Sequence, residues 1–250
     1  MDIAVFIKRV PDTETKVRLT PDGKRLDLSA AQWIMAPYDE MAVEKALQLR
    51  DGSGGGTVTV VTVGPAEASK ELRTALAMGA DKAVHVVASP AGLDATSVSE
   101  ALAGAIRGLP FDVLLCGKQA TDEDDAAVGP MLAERLGLPC VAFVTTIDPA
   151  GKTAVVRREI DGEVEVLEVD LPAVFTAQKG LAEARYPGLK GIMAAKKKPL
   201  EEKPFAAAPT ATTVRSLGVP PGRASCTKIP ATPEAIRGLL ATLRNERGVL

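Results

Sequence analysis

From its amino terminus the chain alternates short apolar runs with longer stretches in which apolar positions recur every three or four residues. IAVFIK (3–8), TVTVVTVG (57–64), KAVHVV (82–87) and FDVLLCG (111–117) are runs of the first kind. Short and rich in Val, they predict strands buried on both faces, as in a parallel sheet. Between them PYDEMAVEKALQLRDG, PAEASKELRTALAMG, ATSVSEALAGAIRG and DDAAVGPMLAERLG carry helical spacing. Pro37 and Pro65 mark helix starts, acids follow in the first turn after Pro37, and Gly52, Gly79 and Gly137 stand past helix ends. Strands separated by helices of this length predict right-handed βαβ crossovers. The expected fold class is α/β, with a doubly wound, mainly parallel sheet.

The pattern changes near residue 141. VAFVTTI is strand-like, and KTAVVRREIDGEVEVLEVD alternates with period two across a D-G turn. LPAVFTA adds another strand, and the group is expected to form an antiparallel extension on the sheet's edge. Nearer the start, VRLTPDGKRLDL (17–28) predicts a hairpin about its P-D-G turn. PLEEKPFAAAPTATT (199–213) is Pro- and Ala-rich without periodicity, which predicts a linker. TPEAIRGLLATLRNERG (232–248) predicts a last helix, capped by Thr232, with Leu239, Leu240 and Leu243 on one face. A helix on such a tether must dock on the body or on another chain. The expected organisation is therefore residues 1–198 as one α/β domain and 199–250 as linker and arm.

Composition restricts the chemistry. Of 250 residues 46% are apolar and 25% charged, and the net charge is −2. Without excess Lys and Arg, a general nucleic-acid binder is not expected. No apolar run approaches bilayer length, so no membrane insertion is expected. MDIAVFIKRV enters a strand directly, without the pattern of a signal peptide. Cys116, Cys140 and Cys226 are odd in number and far apart. They read as reduced thiols in a cytoplasmic protein, without metal-ligand spacing. His85, inside AVHVV, reads as a structural imidazole. No G-x-G-x-x-G follows the first strand, and neither G-x-x-x-x-G-K-[ST] nor G-x-S-x-G occurs. The acids of TDEDD (121–125) lack the spacing of a calcium loop, because Ala126 and Ala127 stand where an oxygen ligand and a Gly are needed. They are expected at a helix N-terminus, offsetting its dipole. No catalytic residue and no metal site is predicted.

In a doubly wound sheet, ligands bind beyond the carboxyl ends of the strands. The loops there are KRVPDT, MAPYDE, VGPAE and GKQATDEDD. Gly64 and Gly117 permit close backbone approach, Lys118 supplies a cation, and helix N-termini near Pro37, Pro65 and Asp125 supply amides. This set predicts an anion- or nucleotide-sized crevice, although ordinary βα turns have the same pattern. A second feature is YPGLKGIMAAKKKPL (186–200), too punctuated for a long helix and too apolar for an idle loop.

VFIKRVPDTETKVRL, APYDEMAVEKALQL, VTVGPAEASKELRTALAMGADKAVHV, LLCGKQATDEDDAAVG, REIDGEVEVLEVDLPAV and ARYPGLKGIMAAKKKPL together resemble the β (small) subunit of electron transfer flavoproteins, over essentially the whole chain. The resemblance implies a Rossmann-like, adenine-nucleotide-binding fold in a heterodimer whose α subunit holds most of a redox-active FAD. It implies a non-enzymatic electron carrier between flavin dehydrogenases and a quinone oxidoreductase or similar acceptor. A structural AMP is implied in the β crevice, contacted by Phe6, Ala36, Pro37, Tyr38, Asp39 and Val63. The loop of Gly117, Lys118, Gln119, Ala120, Thr121, Asp122, Glu123, Asp124, Asp125, Ala126, Ala127 and Val128 would complete that site. Tyr38 matches an aromatic near the flavin, while Thr13 stands where some members have tyrosine. Ala36 replaces the usual Asn, and Ala126, Ala127 and Val128 replace polar residues that often help hold the phosphate. These departures leave the phosphate to backbone N–H groups.

The resemblance also places Leu189 on a recognition loop, about residues 184–198, and wraps the C-terminal arm around the α subunit. Leu189, Ile192 and Met193 would then be a greasy anchor for partner dehydrogenases, with Gly188 and Gly191 keeping the loop adaptable. Lys196, Lys197 and Lys198 would steer the encounter. Two alternatives stay open. One is an electron-bifurcating branch with a second FAD in the β crevice and NADH as donor. AGLD (91–94) resembles it, but the expected preceding Asp-Arg pair is absent and Ala95 follows Asp94. The other is a flavin-free, adenine-nucleotide-binding regulator.

Overall fold

The computed structural model of the chain describes residues 1–89, 92–205, 210–223 and 225–250. Its elements are β1 (Ile3–Phe6), β2 (Arg9–Pro11), β3 (Trp33–Met35), α1 (Pro37–Gly52), β4 (Val58–Gly64), α2 (Ser69–Met78), β5 (Lys82–Val87), α3 (Ala95–Ile106) and β6 (Val113–Gly117). These are followed by α4 (Val128–Leu136), β7 (Cys140–Ala150), β8 (Thr153–Ile160), β9 (Glu163–Asp170), β10 (Ala173–Ala177), α5 (Leu189–Ala195), β11 (Leu200–Pro204) and α6 (Pro233–Asn245). A nine-stranded sheet runs β11-β5-β4-β1-β6-β10-β7-β8-β9, parallel from β11 to β7 and antiparallel from β7 to β9. The α/β class and the mainly parallel sheet expected from the periodicity are present.

Alternate residues of the central strands feed two cores. Ile3, Val5, Val58, Val60, Leu115 and Phe175 pack with α1 and α2 through Val43, Leu47, Leu72 and Leu76. Ala4, Phe6, Val61, Leu114 and Val174 pack on the other face with α3 and α4 through Leu102, Ile106 and Leu132. Burial on both sides is why these strands read as unbroken apolar runs. Gly79 ends α2 at φ 140°, where an added Cβ would press on Leu47 at 3.3 Å. Asp161 and Gly162, both at positive φ, make the β8–β9 turn with the twist that a two-residue hairpin needs.

Three local expectations are corrected. LPAVFTA is not part of an antiparallel edge, because β10 lies parallel between β6 and β7, with all five residues buried. Its continuous burial distinguishes it from the alternating β9, whose Val164 and Val166 are exposed. The hairpin expected over residues 17–28 is present, with an antiparallel bridge from Leu19 to Leu26 and Thr20 N donating to Arg25 O, at the tip of a longer excursion closed by β2 and β3. The supposed linker opens as β11, which pairs with β5 in parallel while the Lys203 ammonium donates to Ala105 O at 2.9 Å. Edge strands can be polar, so LEEKP gives no apolar signal. Finally, α4 begins at Val128, after TDEDD rather than within it. The Pro/Ala-rich stretch continues into residues 206–209, which lie outside the described residues, as does Ala91 of AGLD.

Residues 1–216 form one compact unit and 217–250 a second. In the second, Thr232 Oγ1 accepts from Ala235 N at 3.3 Å and caps α6, whose Leu239 and Leu240 are exposed. In the first, the Asp94 carboxylate caps α3 through Ser97 N and accepts from Ala211 N, Thr212 N and Thr212 Oγ1. Limited trypsinolysis is therefore expected to cut at Arg215 or Arg223, in chain without helix or strand, well before Lys82, in the strand with which β11 pairs. Mass spectrometry of the first fragments checks this. Initial cleavage at Lys82 would mean that the β5–β11 edge is not held.

Candidate functional site

From β1 the chain passes through α1 to β4 on one side, whereas β5 passes through α3 to β6 on the other. The direction of winding reverses at β1, where the carboxyl ends of β4, β1 and β6 adjoin and where sheets of this kind bind ligands. Phe6 closes β1, opposite Val61 and Cys116; Val63 is the next-to-last residue of β4, and Gly117 ends β6. The structure thus brings together residues that are far apart in the chain.

Asp39, in the first turn of α1, bridges this point. Its Oδ2 accepts Lys8 N and its Oδ1 accepts Gly117 N, each at 2.7 Å, so one carboxyl ties the chain leaving β1 to the end of β6. Burial pushes Asp39 up to about 7, against the pull of these two amides and of the Lys8 charge. Gly117 is required here, since an added Cβ would lie 2.6 Å from Asp39 Oδ1 and 2.7 Å from Tyr38 Cβ.

Lys8 Nζ donates to Asp122 Oδ1 and Glu123 Oε2 at 2.9 Å each. Burial pulls the lysine pKa down, but the two carboxylates outweigh it and hold the value above the ordinary one. Gln119 Nε2 donates to Asp124 Oδ1 at 2.7 Å. The acids expected to offset a helix dipole instead form a turn ahead of α4, three of them paired within the chain. Asp124 and Ala126 hold φ of 53° and 52°, a left-handed backbone unusual for non-glycine residues. Lys118 Nζ lies over the Tyr38 ring at 5.0 Å and the Phe143 ring at 5.6 Å. It is held between two aromatics rather than free.

The residues present fit an anionic nucleotide. Ala127, the N-cap of α4, gives no side-chain cap, so the first amides of that helix are open to an acceptor. By contrast, Asp94 already occupies the N-terminus of α3. In the same loop Thr121 Oγ1 is buried without a hydrogen-bond partner, and a polar group in that position calls for one. Because the Lys8 ammonium offsets part of the charge of Asp122 and Glu123, less negative charge opposes a phosphate here than TDEDD suggests.

The apolar segment near residue 189 lies elsewhere. It is a short helix, α5, rather than a loop, with Leu189 84% exposed and Ile192 and Met193 exposed beside it. Lys196 and Lys197 face solvent, but Lys198 turns inward and donates to Leu76 O and Ala80 O. Gly191 serves close packing on α2, not adaptability, since a Cβ there would collide with the Ala77 carbonyl. His85 is buried, with Nε2 3.2 Å from Gly64 O and Nδ1 unpartnered.

Comparison with known proteins follows the same lines. The family described as "Electron transfer flavoprotein domain" matches residues 26–208. The chain is 46% identical over 207 residues to the electron transfer flavoprotein subunit beta of Bacillus subtilis, covering 81% of this chain and 78% of that protein. Against the protein of the same name from Syntrophomonas wolfei it is 41% identical over 241 residues, 96% of this chain and 94% of the other. With human electron transfer flavoprotein subunit beta the figures are 37% over 244 residues, 95% and 96%. The chain belongs to the electron transfer flavoprotein family.

Two residues placed beside these loops by the structure were not identified by motif reading. Lys8 lies in a recognised crevice loop, but only the fold brings its ammonium to the acids. Phe143 sits in an apparent strand, and its φ of 62° at the irregular start of β7, with its amide donated to Thr176 Oγ1, leaves no trace in the sequence.

Asp39 generates a test. Its folded value near 7 lies above the ordinary 3.8, so between those values the folded protein keeps a proton that the unfolded chain has lost. Its contribution to stability is complete below about pH 4 and is lost as pH rises through about 7. Asp39→Asn should flatten that part of the stability profile and lower stability overall by about 1–3 kcal/mol, because an amide nitrogen leaves one N–H unsatisfied. Urea unfolding of both proteins at pH 5 and pH 8 measures it. Equal slopes would exclude Asp39 as the titrating group.

Proposed function

We propose that the chain is the β subunit of a heterodimeric electron transfer flavoprotein, in a cytoplasmic, non-enzymatic carrier. It would accept electrons from flavin dehydrogenases and pass them to a quinone oxidoreductase or similar acceptor. The observation that carries this reading is its near full-length similarity to proteins named subunit beta, joined to a crevice suited to a nucleotide. FAD, held mostly by the α subunit, supplies the electron transfer itself. The residues of this chain bind, orient and recognise.

AMP would occupy the crevice beside Phe6, Ala36–Asp39 and Val63, under the loop Gly117–Val128. Its phosphate would meet backbone N–H groups of that loop and of α4, since Ala126, Ala127 and Val128 have no polar side chains. The nucleotide's role would be structural: a ligand bound only by the folded form stabilises it. Tyr38, with Lys118 against its ring, would face the flavin. Residues 217–250 would supply the arm that grips α, with the exposed Leu239 and Leu240 of α6 as its contact. Leu189, Ile192 and Met193 would dock into the partner dehydrogenase.

Two measurements test this reading. Heat-released extracts of the purified α/β complex should contain about one AMP per FAD. Two FAD without AMP would move the protein to the bifurcating branch, and nucleotide without flavin would make it a regulator.

Leu189→Ala should slow dehydrogenase-driven flavin reduction about tenfold or more, since truncating an anchor costs about 1–3 kcal/mol. The melting temperature should hold, because the side chain is 84% exposed. Lys196→Gln with Lys197→Gln should slow association chiefly at low ionic strength. A destabilised Leu189→Ala complex with normal electron transfer would remove the anchor.

A further inference from the structure

Helix α5 has seven residues, well below the ~12–15 at which an isolated helix begins to hold in water. Something outside it must keep it formed. The helix sits on α2, and Arg73 of α2 together with Gly191 and Lys198 of the α5 segment accounts for the seating.

Arg73, on α2, donates through Nη1 to Ala195 O at 2.6 Å and to Lys198 O at 2.9 Å. These carbonyls lie at and just beyond the carboxyl end of α5, where backbone acceptors lack helical partners. In return, Lys198 Nζ donates to Leu76 O in the last turn of α2, at 3.0 Å, and to Ala80 O just past it, at 2.6 Å. Each segment thus supplies the cation that closes the carboxyl end of the other, where the helix dipole favours positive charge. Gly191 permits the close approach, for an added Cβ would meet the Ala77 carbonyl. Ala195 is buried in the core shared with α2, and the opposite side presents Leu189, Ile192 and Met193.

We propose that Arg73 and Lys198 are positioning residues that hold α5 against α2 as a preformed docking helix. The inference rests on the docking role assigned to Leu189 above. Lys198 thereby differs in kind from Lys196 and Lys197: it acts inward on backbone carbonyls. Burial lowers its pKa, partly offset by the Asp81 charge, which fits an inward role. A surface ordered before the encounter does not lose conformational freedom on binding, and this favours affinity without enlarging the contact.

The test uses the α/β complex with Arg73→Met, Lys198→Met and Leu189→Ala. The electron donor is a reduced flavin dehydrogenase whose transfer to the wild-type complex Leu189→Ala slows. Arg73→Met should raise the KM for that donor about five- to twentyfold and leave the saturating rate and flavin content unchanged. Exchange of the Ile192, Lys197 and Lys198 amides, which bond to Gly188 O, Ala194 O and Ala195 O, should accelerate.

Combined with Leu189→Ala, Arg73→Met should cost less than the product of the two single effects, because one acts through the other. Lys198→Met should reproduce the pattern, and it carries the test if Arg73→Met does not assemble. Faster exchange with an unchanged KM would overturn the proposal, as would unchanged exchange or fully multiplicative effects. If Leu189→Ala slows no dehydrogenase, the docking role falls first and the positioning role with it. An effect of Leu189→Ala without one of Arg73→Met removes the positioning role alone.

Discussion

The structure turns on one buried carboxyl. Where the winding of a parallel sheet reverses, the chains leaving neighbouring strands diverge, and their last amides lose ladder partners. Asp39 takes two of these amides, Lys8 N beyond β1 and Gly117 N at the end of β6, on its two oxygens. Burial works against the charge, as its raised pKa shows. The hydrogen bonds compensate, and the same group fixes the start of α1 between the strands. Much of the crevice follows from that placement. Tyr38 adjoins Asp39 and stacks against Lys118, while Gly117 can be nothing larger.

Charge is distributed around this tie so that an acidic loop is held in a fixed shape. Lys8 carries both the amide that Asp39 accepts and the ammonium that engages Asp122 and Glu123. With Gln119 on Asp124, the acids hold the shape of the loop, and the uncapped amides of α4 and the unpartnered Thr121 hydroxyl remain for a ligand. At a distance from this site, α5 follows a related rule. Backbone groups that a helix leaves open are closed by side chains from another segment, Arg73 and Lys198, and the apolar face stays outward.

Much of this organisation was legible in the chain. Strands buried on both faces appear as unbroken apolar runs, and helices announce themselves through spacing and through Pro and Gly at their ends. The placement of Val63 and Gly117 near the carboxyl ends of adjacent strands followed from the alternation of strands and helices, whereas Phe6 entered through the family resemblance. Capping of α6 by Thr232 was also visible, because a cap is a contact between residues three apart.

The sequence by itself thus determined the fold class, which loops follow the central strands and the family, since each depends on local periodicity or contiguous motifs. The tertiary structure decided the rest. It placed β10 inside the sheet instead of at its edge and paired the polar LEEKP with β5. Lys8 was joined to acids 114 and 115 residues away, and Lys198 was turned from solvent to α2. A period of two or of 3.6 reports which face of an element is buried, not which element covers it. Ion pairs and carbonyl caps between residues distant in the chain have no period at all, so only the packed chain could reveal them.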